Sequence, residues 1–559
     1  MQTLSLMLVE GGLTLLCLVL AFVRPQLGAS WFRAIEKAGG RLARRRRLSV
    51  LVVGLAALLG RAAVLPILPI PEPEVHDEFS HLLAADTFTH GRLTNPTHPL
   101  WEHFESFHIN QQPTYMSMYP PVQGMILAFG QKVFGHPWFG VWLSCAAMCA
   151  AICWMLQGWL PPGWALLGGL LAVARPAMFS YWNSSYWGGA GGALGGALAL
   201  GALPRILRRG RMSDAIWLAL GVAILANNRP YEGFFLGLGI GIPLLVWVWK
   251  NRTSRVVWGQ VVAPLVVLGV AIAAGMAYYN WRVYGDPLSL PYQVNRERYA
   301  IAQVLVWQQP GPMRQYNHKV MRDFYAGWEL EYYQAARTIP GYVVGSYLKG
   351  LRIWFFFLGP AMSIPLLALP WAFRDRRMRP LSLAAGMAAL GLALSLWLSL
   401  HYLSPITALV YAFLLQAMRH LRRWPPGVRR EGTFLVRAIP AICVVMIAAR
   451  MLTDSGHVRG GVLTWYSGGT DFVQRKPVLD RLKAYPGRHL LIVRYPDTHD
   501  PNKEWVYNEA EIDNAEVVWA REMSPEKNAR LLGYFKDRRA WLLEPDHRPA
   551  RLSPYPANP

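Results

Sequence analysis

Predominantly apolar stretches recur from the first residues of the chain to about residue 452, separated by short polar gaps. Each is close to the ~20 residues that carry a helix across a hydrocarbon core. Their faces are apolar all round, and a soluble core could not hide so many of them. The pattern predicts about twelve spans, at 3–23, 49–69, 137–158, 162–178, 186–207, 214–229, 232–249, 257–279, 346–372, 381–399, 402–418 and 434–452. The expected fold class is therefore mainly α, a polytopic transmembrane helical bundle.

The gaps between spans change the picture through their charge. The formal net charge is +23, a value that by itself suggests nucleic acid. The densest basic stretches, however, lie at Arg44 to Arg47, Arg205 to Arg211, Lys250 to Arg255, Arg374 to Arg379 and Arg419 to Arg430. All are short connections between apolar runs, where Lys and Arg mark cytoplasmic loops and meet anionic lipid. No nucleic-acid partner is expected. Threading the spans with these clusters inside puts residues 70–136, 281–345 and 455–559 outside, and both termini extracytoplasmic. A bacterial inner membrane is the expected setting.

Two outer regions have soluble character. Residues 281–345 form a polar, aromatic loop too long for a simple connection. Residues 455–559 hold nearly half of the acidic residues and no long apolar run. In that segment His489 to Tyr495, Ala515 to Ala520 and Ala540 to Leu543 read as strands, and Ser524-Pro525-Glu526 opens a helix reaching about Lys536. The expected organisation is a bundle over 1–454, carrying outer loops 70–136 and 281–345, followed by a small extracytoplasmic α/β domain over 455–559. Cys17, Cys145, Cys149, Cys153 and Cys443 all fall in apolar segments, so no disulfides are expected in the outer loops.

Candidate chemistry begins directly after the second span, at Glu72-Pro73-Glu74-Val75-His76-Asp77-Glu78. Carboxylates held against a bilayer are costly and tend to be functional; the plain alternative is a solvated loop. The stretch from Phe79 to Leu93 has an apolar face of Phe79, Leu82, Leu83 and Phe88 opposite His81, Asp86 and His90, the pattern of a helix lying in the interface. Farther on, Gly188, Gly192 and Gly196 share one helix face. Such a face lets backbones approach closely, either beside a substrate groove or in ordinary bundle packing.

The acidic pair after an early span, the helix ending Gly91-Arg92-Leu93, the pair Pro120-Pro121 after Tyr119 and the late segment His401-Tyr402-Leu403-Ser404-Pro405 resemble motifs of the GT-C glycosyltransferases. The nearest branch is that of protein O-mannosyltransferases and the bacterial aminoarabinose transferase. The chain departs from that pattern at Tyr119, where bacterial members often have a basic residue, and in the His- and aromatic-rich loop that precedes it. The resemblance implies transfer of a sugar from a polyprenyl-phosphate carrier to a lipid, glycan or protein acceptor on the outer face.

The residues suit such a transfer on their own terms. An acceptor hydroxyl must lose a proton, and a carboxylate can take it late in the transition state; Asp77 is the candidate base. Glu78 could assist, orient the acceptor or bind a metal. A phosphate leaving group needs cations, and Arg229, Lys349 and Arg352 are candidates, although each could equally be an interfacial anchor. Tyr181, Trp182 and Asn183 offer rings and an amide to a sugar, or form part of an interfacial aromatic belt. His81, Tyr119, His401 and Tyr402 complete the substrate-side candidates. No metal ligands and no cofactor are assigned, with a divalent metal left open.

Rival readings are weaker. His76 and His81 are five apart with Asp77 between, which does not match the i, i+4 pair of a zinc protease helix. A transporter or flippase of lipid-linked sugars would place its charges near the midplane on repeated halves, and no repeat is visible. A scaffold leaves the acidic pair without a purpose.

Overall fold

Among the residues described by the computed structural model, 2–423, 430–453, 463–467 and 473–555, nine helices are long and apolar enough to cross a membrane. The three remaining expected spans form shorter helices, Pro162–Ala172, Met212–Ala226 and Arg379–Leu394. The apolar helical segment Arg255–Tyr284 has only 6% of its most apolar window buried by protein, which only a lipid environment tolerates. The chain is an integral, multi-pass membrane protein. Part of the basic cluster at Arg419 to Arg430, residues 424–429, lies outside the described residues.

The chain divides into two units. The first comprises residues 1–71, 141–273 and 343–469. Its leading helices are α1 (Gln2–Val23), α2 (Ala29–Arg44) and α3 (Arg46–Val64). The reading of spans did not anticipate α2. It is an amphipathic helix with Trp31 and Ile35 exposed, and its Glu36 pairs with Arg437 at 2.9 Å and Arg422 at 3.2 Å. Deep in this unit Glu10 of α1 pairs with Arg175 at 2.7 Å, both side chains 1% exposed.

Gly192 and Gly196 of the glycine face fall on the helix Ala190–Arg209, whereas Gly188 precedes it. A Cβ on Gly192 would lie 2.3 Å from the Ser404 hydroxyl, and one on Gly196 would lie 1.9 Å from the Pro405 carbonyl. Small residues at these positions therefore seat the 3₁₀ segment Leu400–Ile406 directly on the helix backbone.

The second unit gathers residues 72–140, 274–342 and 470–559. It opens with α4 (His76–Thr89) and α5 (Pro121–Phe134). Pro121 occupies the first turn of α5, where its missing N–H costs nothing, and Gly135 at φ 79° closes the helix. The helices lie close, since a Cβ on Gly124 would sit 2.7 Å from that of Ala84. Between them runs a short antiparallel hairpin, β1 (Ile109–Asn110) with β2 (Met116–Ser117).

The C-terminal segment forms a four-stranded sheet of β3 (His489–Val493), β4 (Val517–Arg521), β5 (Arg539–Glu544) and β6 (Arg551–Pro554), in the order β4-β3-β5-β6. The first three are parallel and β6 is antiparallel to β5. All three expected strands are present, and Ser524 caps the helix Pro525–Tyr534. The central strand β3 is buried along its whole length, and its side chains alternate between two faces. Leu491 and Val493 pack with Val478, Trp519 and Trp541. Leu490 and Ile492 share a core with Phe79 and Leu83 of α4 and with Tyr507. The expected interfacial helix is thus braced by protein: Phe79 stacks on Tyr507 at 4.5 Å, and Asp86 accepts the Ala510 N–H at 2.7 Å.

Candidate functional site

In the second unit, the first turn of α4 carries His76, Asp77 and Glu78. Their side chains diverge because neighbouring helical positions point about 100° apart. Glu78 turns back, and its Oε2 accepts the backbone N–H groups of Glu74 at 2.8 Å and Val75 at 3.0 Å. Its buried carboxylate satisfies the amino end of the helix, the work of a capping carboxylate.

Asp77 points elsewhere. Its Oδ1 lies 3.0 Å from Nδ1 of His108, and its Oδ2 lies 3.6 Å from Nδ1 of His76. The Tyr119 hydroxyl donates to Oδ1 as well. His108 is held in place by its backbone. It has φ 59°, in the left-handed region that a residue with a Cβ seldom occupies. Its carbonyl accepts the Ser80 hydroxyl at 2.6 Å and the Met118 N–H at 3.0 Å. These bonds tie the residue before β1 to α4 and leave its ring over Asp77. Phe107 and Phe324 stack at 4.3 Å, and Phe324 also packs against the rings of His76 and His108. His81, one turn along α4, stacks on Tyr119 at 4.4 Å.

The electrostatics follow from this geometry. Burial alone would raise the Asp77 carboxyl, but the imidazoles of His108 and then His76 outweigh it and hold it well below the usual carboxylate range. Asp77 is therefore an ionised acceptor, its side chain 15% exposed beside His76, His108 and Tyr119. His76, Asp77 and His108 each offer one ligand atom within 4.8 Å of the others. Two imidazole nitrogens and one carboxylate suit a divalent transition metal, with coordination positions left for substrate or water. From sequence alone His108 is one member of the His- and aromatic-rich loop before Tyr119. Nothing in the local pattern distinguished it from His98 or His103.

The remaining candidates lie in the first unit. Tyr181, Trp182 and Asn183 are fully buried, which excludes an aromatic belt facing the lipid interface. The Asn183 amide donates to the Ala177 carbonyl at 2.6 Å, and Trp182 packs on Phe356. Tyr181 meets His401 through its hydroxyl at 3.2 Å from Nδ1. His401 in turn contacts Trp187 and Tyr402, and the Arg229 guanidinium lies 4.7 Å from the centre of the Tyr402 ring. Tyr181, His401, Tyr402 and Arg229 thus form one chain of contacts. Lys349 stands apart from it. Its ammonium donates to the Leu392 carbonyl at 3.2 Å and to that of Ser395, tying two helices together. Arg352 is exposed one turn later on the same helix.

No protein-family profile matches the chain, and no curated protein does. Similar solved structures include the oligosaccharyltransferase of Archaeoglobus fulgidus in its apo form, at 9% identity and TM-score 0.46, covering 80% of this chain and 62% of that one. The same enzyme in complex with Zn and sulfate gives 10% identity and TM-score 0.48, covering 89% and 67%. ArnT from Cupriavidus metallidurans in the apo state gives 12% identity and TM-score 0.47, covering 89% and 92%. The chain spans 62% of the first of these. Likeness of this degree assigns no activity, which has to rest on the residues themselves.

Proposed function

We propose that the protein is a GT-C-type glycosyltransferase that moves a sugar from a polyprenyl-phosphate carrier to an acceptor hydroxyl on the extracytoplasmic face. The observation that carries this reading is the convergence of Asp77 with His108, His76 and Tyr119 at the amino end of the helix that follows the second span. In the proposed reaction the acceptor oxygen bonds to sugar C1 as the bond from C1 to the phosphate oxygen breaks. The electron pair leaves on the polyprenyl phosphate, and the acceptor proton passes to Asp77. A carboxylate held this low takes a proton only late, when the attacking oxygen has become strongly acidic. Glu78 keeps the helix end in place instead of touching the acceptor, while His81 and Tyr119 supply ring faces.

For the leaving phosphate, Arg229 is the favoured partner because it stands beside Tyr402, His401 and Tyr181, with Arg352 as a second. Lys349 positions the helix that carries Arg352. A divalent ion on His76, Asp77 and His108 would add positive charge next to the reacting oxygens. The proposed setting is a bacterial inner membrane with both termini extracytoplasmic, a reading supported by the basic clusters between spans. The acceptor hydroxyl belongs to a lipid, a glycan or a protein.

The test is purified protein in lipid nanodiscs with a panel of radiolabelled polyprenyl-phosphate sugars, comparing wild type with Asp77→Asn. Asp77-dependent release of label from the carrier, to water or an added acceptor, is expected. Saturable donor binding without turnover under every acceptor would overturn transfer in favour of transport.

A further inference from the structure

A polar recess that Asp77 does not line lies at the carboxyl ends of β3 and β4. These strands are in parallel register, Val493 beside Arg521, so their ends open side by side. Beyond them the chain diverges into Arg494-Tyr495 on one side and Glu522-Met523-Ser524 on the other, leaving a cavity of about 370 Å³. Ligands of open α/β sheets bind outside the carboxyl ends of parallel strands, and a volume of this size admits a small ligand. The amino end of the helix Pro525–Tyr534 contributes Ser524 and Lys527 to the wall.

Two buried nitrogens in this wall lack partners. Arg521 is 3% exposed; its Nε donates to the Glu105 carbonyl at 2.8 Å and its Nη2 to Glu504 at 2.5 Å. Its Nη1 has no hydrogen-bond partner among the described residues. The His499 side chain is 4% exposed, and its Nδ1 lies 2.8 Å from Asp546. Its Nε2 also lacks a partner among the described residues. With the Asp546 carboxylate on Nδ1–H, Nε2 is the ring nitrogen left for a ligand. Buried polar nitrogens without partners are uncommon and point to something that satisfies them.

Among the lining residues cations outnumber carboxylates, with Lys319, Arg494, Arg521 and Lys527 against Asp323 and Glu522. The cavity's two carboxylates, Asp323 and Glu522, are engaged by Lys319 at 2.6 Å and by Arg494 at 2.5 and 2.6 Å. Lys527, Arg521 and the helix amino end have no lining carboxylate of their own. Lys527 pairs with Glu102 and Arg521 with Glu504, and neither carboxylate belongs to the cavity wall. Such a combination favours an oxyanion.

We propose that this recess binds the phosphate or carboxylate of a small ligand the size of a hexose phosphate or a hexuronate, with Arg521 Nη1 and Lys527 as its donors and His499 Nε2 as a further polar contact. The site does not depend on the transfer reaction and would operate in a binding protein equally well.

The experiment is calorimetric titration of full-length protein in zwitterionic nanodiscs with glucose 1-phosphate, glucuronate, inorganic phosphate and glucose. At least one anion is expected to bind while glucose does not. The variants His499→Gln and Lys527→Gln should each weaken binding by about tenfold, the scale of one lost charge-assisted hydrogen bond, with unchanged thermal unfolding. Preference for glucose 1-phosphate or for glucuronate would name the anion, and equal binding of inorganic phosphate would assign the site to the free ion. Binding no stronger for anions than for glucose, no binding at all, or variants that bind like wild type would overturn the proposal.

Discussion

Asp77 and His108 meet at 3.0 Å, carboxylate to Nδ1, although one begins a helix and the other precedes a hairpin. The contact helps to keep the candidate base ionised, because His108 and His76 together outweigh the burial that would otherwise raise the carboxyl. Replacing Asp77 by Asn should lower transfer by about 10²–10⁴, the usual contribution of a positioned acid or base, with normal expression and insertion. A stable Asp77→Asn protein with full activity would remove this residue from the mechanism.

The same contact sets a pH dependence. Activity that needs ionised Asp77 persists in wild type to a pH below the usual carboxylate range and fails once the carboxyl protonates. In His108→Ala the nearer imidazole is gone and burial remains, so the carboxyl rises and the acidic limb of the rate profile moves to higher pH. An unmoved limb in that variant would show that another group sets it.

Glu78 provides a contrast. As a helix cap it should tolerate Glu78→Gln, which keeps an acceptor oxygen, with activity within about tenfold of wild type. Glu78→Ala should destabilise by about 0.5–2 kcal/mol, the range for a lost cap, measured by thermal unfolding in nanodiscs. Loss of turnover in a fully stable Glu78→Gln protein would return this carboxylate to the chemistry.

Gly196 faces the Pro405 carbonyl so closely that no Cβ fits without a shift. Gly196→Ala should displace the segment carrying His401 and Tyr402 and cost about 1–3 kcal/mol, as overpacking does. The expected readout is a lowered unfolding temperature together with weaker donor binding. A variant matching wild type in both would mean that the segment is not held by this contact.

Lys349 and Arg229 should separate in kinetics. Arg229→Gln is expected to raise KM for the lipid-phosphate donor, since the guanidinium is the proposed phosphate partner. Lys349→Met should mainly lower stability, because its ammonium holds the Leu392 and Ser395 carbonyls. Equal KM effects in two equally stable variants would contradict this division.

Much of the architecture was legible from hydrophobic pattern. Spans, the acidic pair after the second of them, and the strands at His489, Val517 and Arg539 all arise from local composition and periodicity. Those signals depend on side chains only a few residues apart. The interfacial pattern of α4 was equally visible, yet its apolar face meets Leu490, Ile492 and Tyr507, several hundred residues later in the chain. Tertiary structure alone selected His108 from a loop with three histidines, through a left-handed backbone and two hydrogen bonds to its carbonyl. It alone turned Glu78 away from Asp77 and spent Lys349 on backbone carbonyls. The physical reason is common to these cases. A short sequence pattern specifies which face of an element is apolar, whereas the partner of a polar group depends on distant segments that only packing brings within hydrogen-bond reach.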